Sequence, residues 1–217
     1  TLAARRQEYV SGAANSSFVI DQNGKLEAGR TINLHVSNGD LHISDRIQAK
    51  ENLQTELEGK GGVYFDTDVN VAGSLNVKNN EGDINVGGDI TSQASVTIQT
   101  GTGNIVMKNV TAQEAVNVAV TNGNITMHDV TAGADASVTS SEQGSINAHN
   151  IVSAGITHVA LSKGDLFLNL AEGKGVLLKM EDNTAASQVN QVLAEAGGQG
   201  TDVALTGNYV QIGTLAA

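Results

Sequence analysis

Gly123-Asn124-Ile125-Thr126-Met127 and Gly103-Asn104-Ile105-Val106-Met107 are two copies of one phrase. A glycine and a turn-forming residue are followed by three residues whose first and third share one side of an extended chain. Related phrases begin at Gly39, Gly61, Gly82, Gly144 and Gly164, so successive anchors lie 22, 21, 21, 20, 21 and 20 residues apart. A period that even is the mark of a solenoid, in which each repeat buries its apolar face against its neighbours.

The residues after each glycine test this reading. Two positions on stand Leu41, Val63, Ile84, Ile105, Ile125, Ile146 and Leu166; four positions on stand Ile43, Phe65, Val86, Met107, Met127, Ala148 and Leu168. Every one is apolar, as an inward-facing strand requires. Between them the side chain is usually polar, as at His42, Asn85, Thr126 and Asn147. A second apolar cluster follows seven or eight residues after the glycine, at Ile47, Val69, Ile90, Val110, Val130 and Ile151. A third contains Leu53, Leu75 with Val77, Val96 with Ile98, Val116 with Val118, Ala136 with Val138, and Val159 with Leu161. Three short strands per repeat, separated by Gly, Asn, Asp, Ser and Thr turns, describe one coil of an all-β, three-sided parallel β-helix. The competing fold is an antiparallel sandwich with Asn38-Gly39 and Asn122-Gly123 as hairpin turns. Hairpins do not require three clusters at constant offsets.

The domain plan follows. Residues 1–17 read as an irregular lead-in and 18–181 as β-helix repeats, with Phe18 and Ile20, then Ile32 and Leu34, as early inward pairs. Residues 182–199 read as a helical insertion. Asn183 or Thr184 is placed to cap it, Val189, Val192, Leu193 and Ala196 share a face, and Gly197-Gly198 stops it. The expected helix near 184–196 would cover an apolar edge or one end of the rod. Residues 200–217 read as final strands, through Val203-Leu205 and Val210-Ile212.

Composition limits function. The 217 residues include no Cys, no Pro and no Trp, so neither disulfides nor thiolate metal sites are available. The formal charge of −11 opposes phosphate backbones and anionic lipid. No nucleic-acid partner and no membrane insertion are therefore expected, and no apolar run reaches the ~20 residues of a membrane span. Thr1 is not an initiator and no signal-peptide pattern opens the chain, which reads as an excised segment or a processed product.

Stacked coils turn equivalent positions into columns, and any site belongs there. Lys108, His128 and His149 share one column; Asn109, Asp129 and Asn150 share the next. Two imidazoles beside a carboxylate are a candidate transition-metal set, but without a third strong ligand they read as a polar ladder in which the amides and Asp129 satisfy turn backbone. Asp66-Thr67-Asp68 reads as a solvated acidic turn rather than a calcium site or a glycosidase pair. Asp40, Asp83 and Asp165 follow their glycines and read as turn chemistry. No catalytic residue, cofactor or metal ligand is assigned.

The Gly-Asn-Ile-Thr-Met and Gly-Asp-Ile-Asn-Val phrases, with Val-Thr-Ala at Val110 and Val130, resemble the shaft repeats of filamentous-haemagglutinin-like bacterial exoproteins, a group that includes leukotoxin-like filamentous adhesins. The resemblance covers roughly residues 18 to 180. It implies a right-handed parallel β-helix, secretion through a partner transporter in the outer membrane, a secreted or cell-surface location, and a role in attaching to a host-cell protein or glycan. That family's N-terminal secretion domain is not evident. A polysaccharide-degrading β-helix enzyme and a self-polymerising, bactofilin-like filament are the alternatives from other classes.

Overall fold

Each anchoring glycine turns a corner of the coil. The computed structural model describes the backbone of residues 2–4, 8–12, 18–20, 26–182, 187–194, 203–206 and 210–216, and the side chains of 26–182, 187–194 and 211–216. Gly39, Gly61, Gly82, Gly103, Gly123, Gly144 and Gly164 all have positive φ, from 92° to 147°. L-residues with a side chain rarely adopt that conformation. The glycines also stack, so that a Cβ on Gly82, Gly103 or Gly123 would overlap the carbonyl of the glycine one coil earlier. Both conditions explain why this position holds one residue type.

Three parallel strands follow each corner. In a regular coil they are Ile84–Val86, Ile90–Ser92 and Val96–Thr102, which form the first, second and third faces. Each strand pairs in parallel with its counterpart one coil on: Ile84 with Ile105, Ile90 with Val110, and Val96 with Val116. The third face is a ten-stranded parallel sheet. The chain is thus an all-β parallel solenoid of roughly 21 residues per turn.

The first two faces begin separate and then fuse. Where eight residues separate the glycine from the second cluster, as from Gly82 to Ile90, Gly87-Gly88 forms a turn between the strands. From Gly103 the interval is seven and the strands Ile105–Met107 and Val110–Ala112 are still separate; from Gly123, with the same interval, one strand, Ile125–Ala132, runs across both faces. Ile146–Ser153, Leu166–Gly173 and Ser187–Ala194 repeat this, joining the two faces in one 16-stranded sheet.

All fourteen inward positions read from the sequence on the first face are buried, with no more than 4% exposure. Ile125 stacks between Ile105 and Ile146, and Val130 between Val110 and Ile151. Fully burying such a side chain contributes about 1.5–3 kcal/mol. Phe65 is the one aromatic buried among the described side chains, so β-branched aliphatic residues, Leu, Met and Ala fill the interior. Polar groups inside sit at corners. Asn79 Nδ2 donates to the carbonyls of Gly61 and Gly82, and Thr100 Oγ1 donates to that of Gly82.

The structure differs from the sequence reading in three places. The helix expected near 184–196 is absent: Ser187–Ala194 is a strand, paired in parallel with Leu166–Gly173 and with Val210–Ala216. Asn183, Thr184, Ala196 and Gly197-Gly198 lie outside the described residues. The helical spacing of Val189 and Val192 arises because the strand crosses the corner between two faces, which shifts inward parity by one. Leu168 and Ala171, one coil earlier and paired with these valines, show the same spacing. Ser187–Ala194 is therefore a strand of the solenoid, where a helix was expected. Second, the 1–17 lead-in contains strands Leu2–Ala4 and Glu8–Gly12, paired with Leu26–Ala28 and Ile32–Val36. Third, Ala136 stacks on Thr157 and Val138 on Val159, the regular 21-residue interval, so the apolar pair Val159 and Leu161 lies two residues past the places of Ala136 and Val138 that its apolar character suggests. Thr157 is buried there, donating to the Glu172 carbonyl at 2.6 Å and lying 2.9 Å from Ser153 Oγ.

Candidate functional site

The turn columns identified in the sequence hold coil to coil. Asp40 Oδ1 accepts from Gly62 N at 2.8 Å, Asp83 Oδ1 from Asn104 N at 2.7 Å, Asn104 Oδ1 from Asn124 N at 3.0 Å, and Asn124 Oδ1 from Ser145 N at 2.8 Å. Each short polar side chain thereby accepts a backbone N–H of the following coil, the local chemistry that makes Asp, Asn and Ser turn residues. The carboxylates of Asp66-Thr67-Asp68 have separate roles. Asp66 Oδ2 lies 2.8 Å from His42 Nε2 on the previous coil, and Asp68 Oδ1 accepts from Asp89 N at 2.9 Å.

The column through Asn109, Asp129 and Asn150 departs from this pattern. Asp89 Oδ1 accepts from the Asn109 backbone and side chain, but beyond that the contacts run between side chains. His128 Nδ1 lies 3.1 Å from Asn109 Oδ1 and 2.9 Å from Asp129 Oδ2. His149 Nδ1 lies 2.9 Å from Asp129 Oδ1. Asn150 Nδ2 donates to that same oxygen at 2.8 Å, Asn169 Nδ2 donates to Asn150 Oδ1 at 2.9 Å, and Asn190 Nδ2 to Asn169 Oδ1 at 3.2 Å. The two imidazoles stack, with centroids 4.8 Å apart and an interplanar angle of 23°. Partial burial alone would raise the Asp129 pKa, but the His149 hydrogen bond, the His128 charge and the Asn150 amide together hold it below the usual carboxylate range. The stacking is as the spacing suggests. That both Nδ1 atoms turn onto one carboxylate is not visible from spacing.

A shallow groove of about 300 Å³ borders these imidazoles, with the exposed Phe167 ring and the Asn169 and Asn190 amides on its far side. It lies across coils on the outer surface of the first face. Lys108 precedes His128 on the same column, and its carbonyl accepts from His128 N at 3.2 Å.

A second cluster escaped sequence analysis. His35 stacks on Glu56, and His35 Nε2 lies 3.7 Å from Glu58 Oε2. The signal was the alternation Glu56-Leu57-Glu58 opposite His35, whose partner Glu56 lies 21 residues on. Lys78 Nζ already donates to Glu56 Oε1 at 3.2 Å. Nearby on the first face, burial and then the Asp40 and Asp83 charges push the Tyr64 hydroxyl above its ordinary pKa.

No family model, curated protein or solved structure matches the chain.

Proposed function

We propose that the chain is a structural shaft segment of a large secreted or cell-surface bacterial adhesin or exoprotein of the filamentous-haemagglutinin-like kind, mediating or projecting host-cell attachment. The observation that carries this reading is the use made of polar turn groups: from Asp40 to Ser145 they bind the backbone of the next coil. A catalytic cleft needs convergent polar groups that break the local pattern. Here most of them maintain it. Coils in parallel register, rising roughly 4.8 Å each, make a straight and extensible spacer. The repeat phrases that resemble the family's shaft point the same way, and with them come the outer-membrane transporter as secretion partner and a host protein or glycan as ligand.

The acidic surface with outward Thr, Asn and Ser suits weak contacts multiplied by many shafts on one cell. The test is a glycan panel and host-cell binding assay on monomeric and bead-displayed protein, with parallel assays for polysaccharide depolymerisation. The reading expects binding only in the multivalent format and no cleavage. Depolymerisation of any glycan would favour the enzyme alternative, and concentration-dependent lengthening in small-angle scattering would favour the filament.

A further inference from the structure

We propose that His128, Asp129 and His149 form a binding site for one borderline divalent transition cation, such as Zn²⁺, Ni²⁺ or Cu²⁺. The donors are two imidazole nitrogens and one carboxylate, drawn from adjacent coils, with all three ligand atoms within 4.8 Å of one another. A tetrahedral ion at the ~2.0–2.1 Å bond lengths of His and carboxylate ligands holds its donors roughly 3.3 Å apart. Asp129 Oδ2 lies 2.9 Å from His128 Nδ1 and Oδ1 lies 2.9 Å from His149 Nδ1, and rotation of the exposed rings about their side-chain bonds brings the donors to that spacing.

The site is held by the fold rather than by a loop. Asp129 and Asn150 are register partners, as are Met127 and Ala148, so the spacing between the two histidines is set by the parallel ladder. Asn150 Nδ2 donates to Asp129 Oδ1 at 2.8 Å, a supporting contact of the kind that orients a ligating carboxylate, while its 2.9 Å approach to His149 Nδ1 gives way to the metal. Asn109 Oδ1 flanks His128 Nδ1. The side chains of His128 and His149 are 61% and 50% exposed beside the groove, which provides entry and leaves a coordination position to solvent. Coordination uses the tautomer with its N–H on Nε2, which leaves the Nδ1 lone pair to the metal.

The donor set also selects the cation. Mg²⁺ and Ca²⁺ are hard cations that take oxygen ligands, and a site with two nitrogens and one carboxylate suits them poorly. Nitrogen donors favour Zn²⁺, Ni²⁺ and Cu²⁺. The cluster at His35, Glu56 and Glu58 is the internal contrast, because it has one imidazole and Lys78 already neutralises Glu56.

The test is calorimetric titration of ZnCl₂ into the tag-free chain at neutral pH, paired with imidazole nitrogen NMR of the unsubstituted protein. Binding should saturate near one equivalent and shift the Nδ1 signals of His128 and His149 while leaving those of His35 and His42 in place. His149→Ala should weaken binding at least 100-fold and Asn150→Ala by roughly 10–100-fold, whereas His35→Ala should leave it unchanged. Absence of saturable heat, or shifts at His35 instead, would overturn the assignment. The NMR readout needs no variant, so it decides the matter even where a substitution perturbs folding.

Discussion

Replacing Ile125 with alanine removes a side chain with no exposed surface, stacked between Ile105 below and Ile146 above. The cavity cannot close by drawing the coils together. Their separation is set by ladder bonds such as Ile105 N to the Asn124 carbonyl and Ile125 N to the Ser145 carbonyl, each 2.9 Å. Truncations of buried aliphatic residues cost about 2–5 kcal/mol, with the larger values where the site cannot collapse. A loss of about 3–4 kcal/mol is therefore expected. Thr126, the next residue, is exposed, and Thr126→Ala should change stability by no more than about 0.5 kcal/mol. Urea unfolding followed by circular dichroism reads both, with the midpoint shifting and the slope unchanged for Ile125→Ala. Equal losses at the two sites, or a larger one at Thr126, would refute the inward register.

The remaining predictions probe other parts of the solenoid. Thr55 Oγ1 is buried without a hydrogen-bond partner in a column between Leu34 and Val77, so Thr55→Val should stabilise the protein by about 1 kcal/mol in the same urea assay. Val192 is fully buried and Leu193 only half-buried. Val192→Ser should therefore lower the melting temperature clearly more than Leu193→Ser, a difference that a helix burying both would not produce. The Tyr64 pKa is raised, so its stabilising contribution is complete below the unfolded value near 10.0 and is lost as pH rises through the folded value. In a background with Tyr9→Phe and Tyr209→Phe, phenolate absorbance should titrate above that value, and Asp83→Asn should move the midpoint down.

The inward residues were legible in the sequence because a parallel coil repeats its side-chain parity at a near-constant interval, and Leu41 through Leu168 follow it without exception. Parity failed as a guide where a strand crosses a corner: the same shift that puts both Leu168 and Ala171 inside gave Val189 and Val192 the spacing of a helix. Where a polar residue holds the regular position, as Thr157 does 21 residues after Ala136, an apolar pair two residues on draws the reading off register. The column containing His128 and His149 was legible too, since coil stacking alone brings them together. The convergence of both rings on Asp129 depends on side-chain rotation, which an interval along the chain does not encode. Turn chemistry was clearest of all, because Asp, Asn and Ser after a positive-φ glycine have few other uses.

The most direct test of the account is removal of one complete coil, Asp83 through Gly103. Gly82 then leads into Asn104, and Val63 meets Ile105 where Ile84 stood, since both pair with Ile84 in register. Asn79 keeps its contact with the Gly82 carbonyl. If the coils are interchangeable units of a shaft, the shortened protein should fold cooperatively, and scattering should show a rod shorter by roughly 4.8 Å. A second deletion extended by five residues, through Lys108, should lose that cooperative transition because its strands fall out of register. Unfolding of the in-register deletion, or equal tolerance of both, would contradict the account.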